Sequence, residues 1–62
     1  MTLKFDNGDQ VIREGLYVTV RVGDLKVTRK YFDLWNAERA VSRLQKGPEA
    51  RRQFLMSFKV SV

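Results

Sequence analysis

Strict alternation of apolar and polar residues governs the middle of this chain. Val18-Thr19-Val20-Arg21-Val22 and, as far as Thr28, Leu25-Lys26-Val27-Thr28-Arg29 alternate apolar and polar residues, the period of a half-buried strand. Gly23-Asp24 separates the two runs and reads as a two-residue hairpin turn with glycine first. In that register Val22 pairs with Leu25 and Val20 with Val27 on one face. The other face carries Arg21 opposite Lys26, Thr19 opposite Thr28 and Tyr17 opposite Lys30. This hairpin is predicted at 16–22 and 25–32. Upstream, Leu3-Lys4-Phe5 and Val11-Ile12-Arg13 flank Asp6-Asn7-Gly8-Asp9, whose Asn-Gly is a strong hairpin signal, so a first hairpin is predicted over 2–13. Glu14-Gly15 breaks it from the second.

After Tyr31-Phe32 the period changes from two to nearly four. Asp33 suits an N-cap, and Leu34, Ala37, Val41 and Leu44, with Ala40 at the edge, form one apolar stripe. The spacing predicts a helix of about thirteen residues stopped at Lys46-Gly47-Pro48. Glu49 to Arg52 is expected to turn. Phe54, Met56, Phe58, Val60 and Val62 then alternate with Leu55, Ser57, Lys59 and Ser61, which predicts a final strand over 53–62 with Met56 and Phe58 in the core. The expected fold is a single α+β domain over residues 1–62. It has a small antiparallel sheet of four to five strands, one α-helix packed on one face, and the other face open.

At 62 residues the core is small, and stability is expected to be marginal without a partner or an oligomer. Twelve bases against seven acids give a net charge of +5. The charge is uneven: in residues 1–15 Lys4 and Arg13 are outnumbered by Asp6, Asp9 and Glu14, whereas residues 16–62 carry ten bases and four acids. Such asymmetry points to an anionic partner, either nucleic acid or an acidic protein surface. The N-terminal MTLKFDNGDQ lacks the basic flank and apolar stretch of a secretory leader, and no apolar run approaches the ~18 residues of a membrane span. A cytoplasmic protein without a membrane partner is expected.

Catalysis is poorly supported. Histidine and cysteine are both absent, which removes the usual general base, the thiolate nucleophile and the soft metal ligands together. Ser42, Ser57 and Ser61 have no base nearby in sequence, and Gly8, Gly15, Gly23 and Gly47 form no phosphate-cradling loop. Asp6 and Asp9 bracket a turn, where they either stabilise it, hold a hard cation or act as an acid pair; turn stabilisation is the favoured reading. A non-enzymatic protein with no cofactor, metal or small-molecule substrate is expected.

Tyr17, Thr19, Arg21, Lys26, Thr28 and Lys30 on the outer hairpin face combine phosphate contacts, hydroxyl groups and one stacking ring. Directly opposed like charges cost a hairpin up to ~1 kcal/mol, so this face makes most sense against an anion. The alternative is a solvated strand face with charged edge protection. Lys46, Arg51 and Arg52 cluster after the helix, where they either clamp phosphates or complement the helix C-terminus. Trp35 shares a helix side with Arg39, Ser42, Arg43 and Lys46. It is either an exposed recognition anchor or a first-turn aromatic closing the core.

Over residues 16–46, LYVTVRVGDLKVTRKYFDLWNAERAVSRLQK resembles the arm-binding N-terminal domains of tyrosine recombinases and the related ethylene-response-factor domains. The shared features are basic alternating strands around a Gly turn, a closing aromatic pair (Tyr31-Phe32) and a helix with small residues (Ala37, Ala40). The resemblance implies a sheet laid in the DNA major groove, with Arg21, Lys26, Thr28 and Lys30 nearest the bases and phosphates. In size and architecture the chain also resembles small bacteriophage proteins that inhibit host enzymes or defence complexes, including anti-CRISPR proteins. The expected function is therefore a nucleic-acid-binding module from a phage or other mobile element, favouring duplex DNA and using the second hairpin. The alternative is an inhibitor that docks on a host protein through Trp35, Arg39, Arg43 and Lys46. A homodimer through the sheet edge formed by 53–62 is a third arrangement.

Overall fold

Two glycines at the first position of two-residue turns set the register of the sheet. Gly15 (φ 61°) and Gly23 (φ 59°) occupy the left-handed region, while Leu16 and Asp24 after them have no positive φ, the signature of a type II′ hairpin turn. Four strands follow one another: β1 (Thr2–Lys4), β2 (Gln10–Glu14), β3 (Tyr17–Val22) and β4 (Leu25–Lys30). They form one antiparallel sheet in the order β1-β2-β3-β4. The computed structural model describes the backbone of residues 1–60 and the side chains of residues 1–57.

The β3–β4 register is the expected one, with Arg21 paired to Lys26, Thr19 to Thr28 and Tyr17 to Lys30. The turn at Gly15-Leu16 adds a hairpin between β2 and β3, so the two expected hairpins fuse into a four-stranded meander. In the loop between β1 and β2, the Asn7 Oδ1 accepts from the Asp9 backbone N–H at 3.0 Å and Gly8 N–H donates to Phe5 O at 3.0 Å.

Helix α1 (Leu34–Leu44) begins where expected. Asp33 is extended (φ −151°, ψ 169°) and its Oδ1 accepts from the Asn36 N–H at 2.8 Å, satisfying one of the four unpaired amides of the first turn. Ala37, Val41 and Leu44 are buried against the sheet, whereas Leu34, expected in that stripe, is exposed. Position 34 precedes the point where the helix meets the sheet.

The predicted strand over 53–62 is corrected by a second helix, α2 (Pro48–Val60). Pro48, expected to stop a helix, starts one: at a first helical position its fixed φ fits and its missing N–H costs nothing. Glu49 in the first turn complements the partial positive charge there. The buried side of α2 recurs at helical spacing, with Arg51 and Leu55 buried and Ala50 and Phe54 half-buried. Met56, expected in the core, is 59% exposed, and Leu55 beside it is 4% exposed. Residues 61 and 62 of the expected strand and the Phe58 side chain expected in the core lie outside the described residues. The sheet edges are β1 and β4, so the edge-to-edge dimer expected through 53–62 has no strand to use among the described residues.

Both helices pack on the same face of the sheet. The core is Val11, Val18, Val20, Ala37, Val41, Leu44 and Leu55, with Leu3, Phe5, Val22, Val27, Tyr31 and Phe54 around it. Among the described residues no element covers the opposite face. Among the described residues no helix is long and apolar enough to cross a membrane.

Candidate functional site

Successive pairings across the meander place outer-face residues in rows. Lys4 pairs with Gln10, Gln10 with Arg21 and Arg21 with Lys26, so one row, Lys4-Gln10-Arg21-Lys26, crosses the whole sheet. The next row is Thr2-Ile12-Thr19-Thr28, and Glu14-Tyr17-Lys30 forms a third. Directly paired residues point to the same side, so all of these share the uncovered face. Four bases stand there against one acid, Glu14, which lies in the Lys30 row and not in the row of Arg21.

Local contacts order this face. Thr19 Oγ1 and Thr28 Oγ1 share a hydrogen bond of 2.7 Å, and Lys30 Nζ lies 5.8 Å from the centroid of the Tyr17 ring. Ile12, Glu14, Tyr17, Thr19 and Thr28 line a shallow depression between the second and third rows. The six hairpin residues singled out in the sequence are thus all on one open surface. Lys4 and Gln10 belong with them but follow only once β2 is paired to β3.

Arg51 and Arg52, expected together as a phosphate clamp, are separated. Arg52 is exposed, but Arg51 is 3% exposed and committed internally. Its Nε donates to Asp9 Oδ2 at 2.7 Å, its Nη1 to Leu44 O at 2.8 Å, and its guanidinium stacks 3.9 Å from the centroid of Phe5. Arg51 is therefore corrected from a surface contact to a structural clasp, which also fixes Asp9 as a core partner.

Trp35 is 64% exposed, so the structure puts it at the surface and not in the core. Arg39 stacks on it, with Cζ 5.1 Å from the ring centroid. Phe32 is 98% exposed and Leu34 about half exposed, so Phe32, Leu34 and Trp35 make an apolar outcrop at the β4–α1 junction. Arg43 and Lys46 are exposed on the same helix. Arg39 and Arg43 also line an open groove of about 450 Å³ between α1, α2 and the end of β4. A third arginine, Arg29, joins them. It pairs with the buried Val18, hence lies on the helix side of the sheet. A charge at an apolar position of the alternation was the available signal for it.

Arg51–Asp9 is the one ion pair among the described residues, so none of the outer-face or groove bases is ion-paired with a described acid. No group of metal-binding side chains occurs among the described residues. No protein-family model matches this chain, and neither a curated protein nor a solved structure is significantly similar to it.

Proposed function

We propose that this protein is a nucleic-acid-binding module that lays the outer face of its sheet in the major groove of duplex DNA. The observation that carries this reading is the row Lys4-Gln10-Arg21-Lys26, whose like charges cross an uncovered face with no acid in the row. Three inter-strand steps span about 14 Å, close to the ~12 Å width of the major groove. Lys4 and Lys26 at the ends then meet the phosphate walls, while Gln10 and Arg21 in the centre face base edges. Those two residue types suit adenine and guanine respectively, since each presents paired hydrogen-bonding groups in the groove. Lys30 and Tyr17 extend the phosphate contacts along the strands. The mode is the one implied by the likeness to recombinase arm-binding domains.

The test is fluorescence anisotropy of labelled duplexes at several salt concentrations. Three phosphate contacts correspond to a log–log salt slope of about −3. Neutralising Lys26 with Gln should weaken all sequences alike and reduce the slope by about one, whereas Arg21→Gln should relax sequence preference. Unchanged affinity and slope in the Arg21→Gln, Lys26→Gln double variant would rule this face out.

A second reading, docking on a partner protein, is favoured by the exposed Phe32, Leu34 and Trp35. Monomeric proteins seldom leave contiguous aromatics this open, and Trp beside Arg is the usual composition of an interface centre. Under this reading Trp35→Ala abolishes capture of the partner while the duplex affinity of the chain is unmoved.

A further inference from the structure

We propose that the groove between α1, α2 and the end of β4 binds a phosphomonoester group, carried either by a free nucleotide or by the 5′ end of a nucleic-acid strand. The groove lies in the helical layer, away from the open sheet face, and stands independently of the DNA-binding reading above. Its charged lining consists of Arg29, Arg39 and Arg43, with no carboxylate among the described residues around it. Three like charges share one concavity, and no described acid pairs with any of them. Such an arrangement is favourable chiefly when an anion occupies it.

The three guanidiniums come from two elements. Arg29 projects from the β4 edge in the row of Val18, and Arg39 and Arg43 stand one turn apart on α1. Two of them are held by aromatic rings: Arg29 Cζ lies 5.2 Å from the Tyr31 centroid and Arg39 Cζ 5.1 Å from that of Trp35. Stacking fixes a guanidinium plane while leaving its N–H edge free, which lowers the ordering cost of binding an oxyanion. Asn36 and Gln53 add neutral hydrogen-bonding groups to the lining.

Charge selects the monoester. A terminal phosphate carries about −1.5 to −2 at neutral pH and three acceptor oxygens, whereas each backbone diester carries a single negative charge. Three guanidiniums around one group match the former. Arginine in place of lysine also favours the planar, paired contacts that a terminal phosphate offers. At about 450 Å³ the groove has room for the phosphate and an attached nucleoside.

The full-length chain is titrated in phosphate-free buffer with adenosine 5′-monophosphate, with adenosine, and with a short single-stranded oligonucleotide bearing either a 5′-phosphate or a 5′-hydroxyl. Trp35 fluorescence reports through its contact with Arg39, and the ³¹P shift of the nucleotide reports the phosphate directly. Saturable binding of the monophosphate and none of adenosine is expected, with the bound phosphate's second ionisation moved to lower pH. The 5′-phosphorylated strand should bind at least about tenfold tighter than the 5′-hydroxyl strand. Whether the mononucleotide or the strand binds more tightly distinguishes the two sources. Arg39→Gln and Arg43→Gln, both at exposed positions, should each weaken binding about tenfold with the far-UV spectrum kept. The Arg21→Gln, Lys26→Gln variant should bind the nucleotide normally. Equal responses to adenosine and its monophosphate, an unmoved ³¹P titration, or unchanged binding in the Arg39 and Arg43 variants would overturn the proposal.

Discussion

Arg51 in the first turns of α2 reaches Asp9 at the end of the β1–β2 loop, 42 residues earlier, with Nε 2.7 Å from Oδ2 and both side chains buried. The clasp is well satisfied: Asp9 Oδ2 also accepts from the Asn7 amide at 3.1 Å, and no buried side-chain donor or acceptor is left unsatisfied among the described residues. Removing one member of such a pair leaves a buried charge, at a cost of about 3–5 kcal/mol. For a chain of 62 residues the whole stability is expected to be about 3–9 kcal/mol. Arg51→Ala or Asp9→Ala should therefore remove most of it. Arg51→Lys should not restore it, because an ammonium cannot replace both the fork to Asp9 and Leu44 O and the stack on Phe5. Urea denaturation followed by far-UV circular dichroism measures this; Trp35 is too exposed to report reliably on unfolding.

Leu55 and Met56 distinguish the helix from a strand at the same residues. With Leu55 buried and Met56 exposed, Leu55→Ala should cost about 2–5 kcal/mol, and Met56→Ala less than about 0.5 kcal/mol. Denaturation midpoints of the two variants, compared side by side, give the answer. The reverse order would restore a strand.

Gly23 and Gly47 should respond oppositely to alanine. Gly23 sits at φ 59°, where an L side chain costs about 1–2 kcal/mol. Gly47 has no positive φ and open space where a Cβ would stand, so Gly47→Ala should stabilise by about 0.4–1 kcal/mol through the unfolded chain. Thermal melts should shift in opposite directions.

Lys26→Glu turns a repulsive cross-strand pair with Arg21 into an attractive one. A gain of up to about 1 kcal/mol at low ionic strength, shrinking as salt is added, is expected. Under the proposed function the same variant loses duplex affinity. Melting temperature and anisotropy moving in opposite senses would tie the strain of this face to its use.

Legibility in the sequence followed the range of the interactions involved. The β3–β4 pairing was readable because Gly23-Asp24 and strict alternation act within a dozen residues. The start of α1 was readable because Asp33 caps its own first turn. The hairpin at Gly15-Leu16 was hidden by an apolar residue in a turn position, and with it went the row joining Lys4 and Gln10 to Arg21. The identity of α2 is hidden by Arg51: a charge in the buried stripe breaks the helical period, and the compensating Asp9 lies 42 residues away, in the β1–β2 loop. Phe54, Met56 and Phe58 then offered a false period of two. Arg29 is hidden for a related reason, since its position belongs to the apolar face while its charge belongs to the groove.

Because each strand of the meander pairs only with its sequence neighbours, the sheet can assemble through a succession of short loop closures, each inexpensive in chain entropy and fast. The clasp between Arg51 and Asp9 closes a loop of 42 residues, far longer than any turn of the sheet, and has least reason to form before the sheet exists. Its loss should therefore appear mainly as faster unfolding, with the folding rate little changed. On that view the clasp governs how long the native fold lasts once formed, and the local turns govern how quickly it is reached.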